Sequence, residues 1–296
     1  CERLQQTFSG CLGIRVTDGH RHLGGFAGNS EEGAHEYVAG KVEEWARKIT
    51  RVAQVGQTDP QGALRVTAAS LQHEWTFLQR VVPAPPQLYQ PMDDALINNL
   101  LPALFGQAIG TLRPLDKKIL FGPERQAGLG IRLPTTTAKE AYRSSEEASA
   151  HLSQAIFDRD TDFEMAKHKE AWRKSRDGHE TRMAEELNTL REEVDNADPD
   201  TDISPNMRTA FIRFMENDLK SPHWLNVPCV PEMGFRLSKY QFIDGISMRY
   251  GMTAPDLRDK CPCGADFDMG HAMGCNKGNV ISKPHDEMRD FFGDLS

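Results

Sequence analysis

The chain has 296 residues, 39% of them hydrophobic and 26% charged, with a formal charge of −8. That length suits one large domain or two smaller ones, and no apolar run reaches the roughly 18 residues of a membrane-spanning helix. The cysteines, at 1, 11, 229, 261, 263 and 275, leave the middle of the chain empty. This argues against the disulfide framework of a small secreted domain and for a reducing, intracellular setting in nucleus or cytoplasm. Cys1 opens the sequence without a charged-then-apolar leader, so it reads as a processed chain or, more simply, as a piece of something longer. Net acidity argues mildly against non-specific nucleic-acid binding, although a whole-chain charge says little about one face.

In chain order, "CLGIRVTDGHRHLGGFAG" predicts a hairpin. Leu12, Ile14 and Val16 alternate with polar or small residues, Asp18-Gly19 offers a turn, and Leu23 to Phe26 returns. Gly24 and Gly25 mark a bulge or a place where another backbone or a ligand comes close. From Glu31 to about Val55, Tyr37, Val38, Val42, Trp45, Ile49 and Val52 recur at helical spacing. Asp59-Pro60 caps a second helix with the stripe Leu64, Ala68, Leu71, Trp75 and Leu78, ending before Pro83.

After the stiff "PAPPQLYQP" a third helix runs from Met92 to about Phe105 through Pro102, with Asp93-Asp94 as capping charge at its start. "GLGIRLP" predicts a strand or tight turn against a core. Residues 160–196 are so charged that a solvated helix or partly disordered spacer is expected. "DNADPDTDISP" is a linker, with Ser204-Pro205 opening the next helix. Phe211, Phe214, Met215 and Leu219, then Phe235, Leu237, Phe242, Ile246 and Met248, predict a small second core.

The densest chemistry lies in "KCPCGADFDMGHAMGC", residues 260–275. Cys261, Cys263, His271 and Cys275 form a three-thiolate, one-imidazole set that suits tetrahedral zinc. Pro262 and Gly264 favour a tight turn that aims both thiols inward, and His271 and Cys275 lie one helical turn apart. A disulfide from either thiol to Cys275 leaves one thiol and His271 unexplained. Four protein ligands leave no open position, so the ion is structural. Phe267 sits between the halves as a core anchor or a base-stacking ring.

Around this cluster, "GFRLSKYQFIDGISMRYGM", "PDLRDKCPCGADFDMGHAMGCNKGNV" and "KPHDEMRDFFGDL" resemble the region after the polymerase domain in reverse-transcriptase polyproteins of non-LTR retrotransposons. Those polyproteins carry a Cys-Cys-His-Cys finger followed by a restriction-like endonuclease. "GHRHLGGFAG" resembles their primer-grip turn, and "EWTFLQRVVP" with "GLGIRLP" resembles the thumb and its exit. The usual Gly-Gly before that exit turn is Ala127-Gly128 here.

The resemblance implies a mainly α fold. Residues 1–155 would form a primer-grip hairpin and helical thumb-like domain, and residues 156–204 a charged helical linker. A small zinc-stabilised α+β domain would occupy 205–282, and 283–296 would start an endonuclease helix. It implies polymerase aspartates upstream of Cys1 and an incomplete nuclease site, with His285 and Glu287 as candidate catalytic residues. Mg2+ would serve only the parent enzyme, and Glu287 reads equally as an ordinary first-turn carboxylate.

The implied partners are RNA and DNA as template–primer or target, and the flanking polymerase and endonuclease domains, with no membrane. Gly24 and Gly25 would admit the primer strand. Arg21, Lys41, Arg47, Lys48 and Arg51, with Lys260, Lys277 and Lys283 near the finger, would meet phosphates, unless they form an ordinary solvated face. The alternatives are a zinc-stabilised protein-interaction module and a non-functional element remnant. A free-standing enzyme has no support, for neither a Gly-x4-Gly-Lys-Ser/Thr loop nor a Gly-x-Ser-x-Gly elbow occurs.

Overall fold

Two short antiparallel strands, β1 (Gly19–His22) and β2 (Gly25–Gly28), open the computed structural model, with Arg21 paired to Phe26. The structure describes residues 6–8, 16–216, 223–225, 227, 230–255, 259–267, 271 and 275. The expected hairpin is present, but its turn is Leu23-Gly24 rather than Asp18-Gly19. A type I′ two-residue hairpin loop takes positive φ at both central positions, and Leu23 and Gly24 supply 46° and 84°. Asp18 instead closes the open end, its carbonyl accepting the Asn29 N–H at 2.9 Å. Leu12 and Ile14 lie outside the described residues.

Helix α1 (Glu31–Gly56) starts at Ser30, whose hydroxyl accepts the Gly33 N–H at 2.9 Å. Its Val38, Val42, Trp45 and Ile49 are buried as the spacing predicts, with Tyr37 and Val52 at the margin. Asp59 caps α2 (Pro60–Val66), which passes through a widened turn, Thr67–Leu71, into α3 (Gln72–Val81). Leu64, Leu71, Trp75 and Leu78 form one buried stripe across the join.

The expected third helix is broken into α4 (Gln90–Ala95), a wide turn at Leu96–Leu100 and α5 (Leu101–Phe105). Pro102 explains the break. It cannot donate to the helical ladder, and a widened turn just before it, with Leu101 N–H reaching Leu96 O, accommodates the missing bond. Gly106 then ends the helix at φ 67°. A side chain there would begin 2.6 Å from Ile243 Cδ1, so the glycine also admits a later helix.

"GLGIRLP" forms a tight turn after α6 (Pro114–Leu120), with Leu129 and Ile131 fully buried. It leads into α7 (Pro134–Asp158), which pairs with α8 (Met165–Asp195) as a long helical hairpin. Asp93 does more than cap its own helix. It is 4% exposed and accepts both the hydroxyl and the backbone N–H of Thr135, so it caps α7 from across the core. Asp94 stays at the surface, accepting from Gln90 at 3.0 Å.

The charged stretch is therefore a mostly solvated helix, tied to the core at its far end by Leu190 and Val194. The linker behind it is strapped down. Asp116 accepts the Ser204 N–H at 2.9 Å and its hydroxyl at 3.1 Å, Arg113 donates to Pro199 O and Ile203 O, and Leu115 N–H reaches Asp202 O at 3.0 Å.

Helices α9 (Pro205–Glu216) and α10 (Lys239–Arg249) then join the first core rather than building a second one. Phe211, Phe242, Ile246 and Tyr250 belong to the same apolar cluster as Trp75 and Leu104, while Phe235 and Met248 are exposed. Leu219 lies outside the described residues. Polar clamps explain this union: Gln61 donates to Phe235 O at 3.0 Å and accepts from Leu237 N–H at 2.8 Å. Each apolar side chain fully buried in the shared cluster contributes about 1.5–3 kcal/mol, and the polar clamps add to that attachment.

Candidate metal centre and basic surfaces

Residues 259–267 form a small hairpin that positions the first two thiols. Cys261 N–H donates to Ala265 O at 2.9 Å, Gly264 N–H to Cys261 O at 2.8 Å, and Phe267 N–H to Asp259 O at 3.1 Å. Gly264, at φ 93°, lets the chain turn tightly just after the two thiols. His271 is helical and presents its ring edge-on to Phe267, with centroids 6.1 Å apart. Phe267 is half-buried and packs against the ligand histidine, the anchoring role expected of it.

The donor atoms of Cys261, Cys263, His271 and Cys275 all lie within 4.8 Å of one another. Cys261 Sγ is 3.5 Å from Cys275 Sγ, and Cys263 Sγ is 3.2 Å from His271 Nε2. A tetrahedral zinc with sulfur at about 2.3 Å spaces its donors by about 3.8 Å, so the set is compatible with a structural zinc site. Cys261 and Cys275 are buried, His271 is half-buried and Cys263 is exposed, which places one ligand at the solvent edge.

The Cys263 backbone amide favours the Cys261 thiolate, yet burial and the crowding of Cys263 and Cys275 outweigh it and push that thiol above its ordinary value. Three thiols gathered this closely cannot all ionise without a cation among them, and a divalent ion supplies that charge. It is the only such ligand group among the described residues.

The other expected contacts divide by environment. Gly24 sits in the hairpin turn, where its carbonyl accepts from Tyr37 Oη at 3.0 Å, and Gly25 begins β2. The space beside both is occupied by this chain's own α3: a side chain would begin 3.3 Å from Phe77 at Gly24 and 3.2 Å from Val81 at Gly25. The close approach that the two glycines signalled is therefore made by hairpin and helix.

Lys41 pairs with Glu44 at 2.7 Å, and Lys48 bridges Glu44 at 3.1 Å and Glu74 at 2.8 Å. The two lysines hold the Glu44 carboxyl down at about 2. Their charge is compensated within the fold. Arg21, Arg47 and Arg51 are exposed and have no ion-pair partner among the described residues, with Arg47 and Arg51 one turn apart on α1. Lys260 pairs with Asp266 across the finger hairpin. Lys277, Lys283, His285 and Glu287 lie outside the described residues.

A further basic surface has no counterpart in the sequence reading. A groove of about 1080 Å3 runs between α3, α6, α7 and α8. Arg132, Lys117, Arg80 and Trp172 line it. Two signals in the sequence point there: Arg132 is the one charge in "GLGIRLP", flanked by buried Ile131 and Leu133, and Trp172 is the one tryptophan in the charged spacer. No helix among the described residues is long and apolar enough to cross a membrane. Comparisons with protein-family models, curated proteins and solved structures give no match.

Proposed function

We propose that this chain is the nucleic-acid-gripping part of a retroelement reverse transcriptase, lying between polymerase and endonuclease and held at its carboxyl-terminal side by a structural zinc finger. The observation that carries the reading is the convergence of Cys261, Cys263, His271 and Cys275, the residues around which the resemblance is most specific. Arg21, Arg47 and Arg51, exposed and without an ion-pair partner among the described residues, support the binding role, because such guanidinium groups can meet phosphates. In this reading the polymerase and nuclease chemistry belongs to the neighbouring parts, and this part positions the strands.

The test is a filter-binding titration of the zinc-loaded chain against a primer–template duplex and a structured RNA at two salt concentrations. Binding at low salt that weakens steeply at higher salt supports the proposal. A folded chain that binds neither probe at low salt overturns it. That outcome would favour a protein-interaction module, for which exposed Ile156 and Phe157 beside the α7–α8 turn offer an apolar contact.

A further inference from the structure

The groove between α3, α6, α7 and α8 holds a charge imbalance that the fold corrects only in part, with Glu186 acting on Arg132 and Asp93 on Lys117 at a distance. Six cationic side chains line it, Arg80, Lys117, Lys118, Arg132, Arg176 and Arg182, against four glutamates. Lys118 is paired with Glu193, Arg176 with Asp177, and Arg182 with Glu140. Arg80, Lys117 and Arg132 have no ion-pair partner among the described residues. Arg132 is the telling one. Its guanidinium reaches across to α8, where its hydrogen-bond acceptor is the Met183 sulfur at 3.5 Å, a weak partner for a charged donor. Exposed Glu186 on α8 acts on this charge only at a distance, without an ion pair; a partly buried cation so weakly compensated is costly, and an anion entering the groove would relieve that cost.

The groove's shape narrows the choice of anion. Its wall follows α7 from Leu133 to Ala148, an axial run of about 22 Å at 1.5 Å per residue. That matches about six stacked nucleotides at 3.4 Å each. The unpaired cations cluster at the α6 end, and at the other end Trp172 stands 49% exposed, with the Arg176 guanidinium 5.6 Å from its ring centroid. Charge at one end and an open aromatic face at the other is how single strands are held, by phosphate contact and base stacking. Of the four glutamates, Glu140 and Glu193 are neutralised by Arg182 and Lys118, and Glu185 and Glu186 lie exposed on the α8 side.

We propose that this groove binds a single-stranded nucleic-acid segment, with Arg132 and Lys117 on its phosphates and Trp172 stacked on a base. The proposal rests on the nucleic-acid reading above, and it adds a strand path separate from the hairpin and α1. The experiment measures fluorescence anisotropy of a labelled 12-nucleotide uridine strand with the full zinc-loaded chain. It compares wild type with Arg132→Gln, Arg132→Lys and Trp172→Ala over a range of salt concentrations.

Expected are about a tenfold weaker Kd for Arg132→Gln and for Trp172→Ala. The salt slope should fall by about 0.7 for Arg132→Gln, the loss of one phosphate contact on a single strand, and stay unchanged for Arg132→Lys. A merely structural arginine would leave that slope unmoved. If wild type binds the strand and the variants bind with its Kd and slope, the groove is not the path, while the wider reading stands. If wild type binds no nucleic acid, that reading fails and the groove proposal falls with it. Should Arg132→Gln not fold, Trp172→Ala at its half-exposed position decides the matter alone.

Discussion

The hydroxyl of Tyr250 donates to the carbonyl of Ala127 at 2.8 Å, joining the end of α10 to the turn before α7 across 123 positions of chain. Arg249 reinforces the joint by donating to Glu124 O at 3.1 Å and Gly128 O at 3.3 Å while lying 4.9 Å above the Phe214 ring. Tyr250→Phe removes one buried partner and little volume, and is expected to cost about 1–2 kcal/mol. A urea midpoint equal to wild type would show that this bond does not hold the two halves together.

The same turn tolerates no side chain at Gly128. A Cβ there would begin 2.0 Å from the Gly122 carbonyl oxygen, a backbone atom that cannot swing aside. Gly128→Ala should therefore cost more than about 2 kcal/mol. Gly40→Ala, on α1 where a Cβ meets nothing within 4 Å, should stabilise by up to about 1 kcal/mol. Thermal melts of the two variants check the contrast, and equal shifts would contradict the close approach.

Asp93 sets a pH dependence whose sign is unusual for a carboxylate. Burial raises its pKa, against two hydrogen bonds from Thr135 that favour the charged form. The folded state thus holds this proton more tightly than the unfolded chain, so the contribution is most favourable at and below the ordinary value near 3.8 and is lost as pH rises through the folded value. Asp93→Asn should gain on wild type between about pH 4 and pH 7. Urea midpoints across that range measure it, and parallel profiles would rule out a raised carboxyl.

Glu44 behaves in the opposite way. The hydrogen bonds from Lys41 and Lys48 lower its pKa to about 2, so its contribution is present above 4.5 and is lost as pH falls toward that value. The three side chains are half-exposed, and the effect should shrink in high salt. Glu44→Gln should flatten the acid limb of the stability profile at low ionic strength only, and a change of the same size at both ionic strengths would contradict this.

Removing the metal should act locally. Cys261 and Cys275 are buried within the finger, but neither belongs to the apolar cluster that runs from Ala34 to Tyr250. One zinc per chain is expected by mass spectrometry of the native protein, with loss of binding in Cys263→Ser. Chelation should expose 259–275 to proteases and leave most of the helical ellipticity intact. Global unfolding on chelation would mean that the ion stabilises the core itself.

Much of this was legible because periodic burial writes itself into spacing. The stripes of α1 and of α2–α3 could be read from Val38, Trp45, Leu64 and Trp75, and the ligand quartet from its residue types alone. What escaped is non-local. The hairpin closes at Leu23-Gly24, where leucine takes a positive φ that its type disfavours, so residue preference alone points to the Asp-Gly pair instead. The separate second core was expected because Gln61, Asp116 and Ala127 carry no mark of the segments they bind from 88 to 176 positions away. Arg132 sat inside a string already read as turn, and only the approach of α8 makes its charge conspicuous.

The strap at residues 198–204 has a mechanical consequence. Arg113 and Asp116 fasten the chain just after the long outer hairpin, so that hairpin is a closed excursion with both feet on one base. Tension drawn through the carboxyl-terminal side would reach the strap and the Tyr250 joint before it reached α7 or α8. In an optical trap the finger should peel first, the joint should yield at a distinctly higher load, and the outer hairpin should go slack only after that rupture.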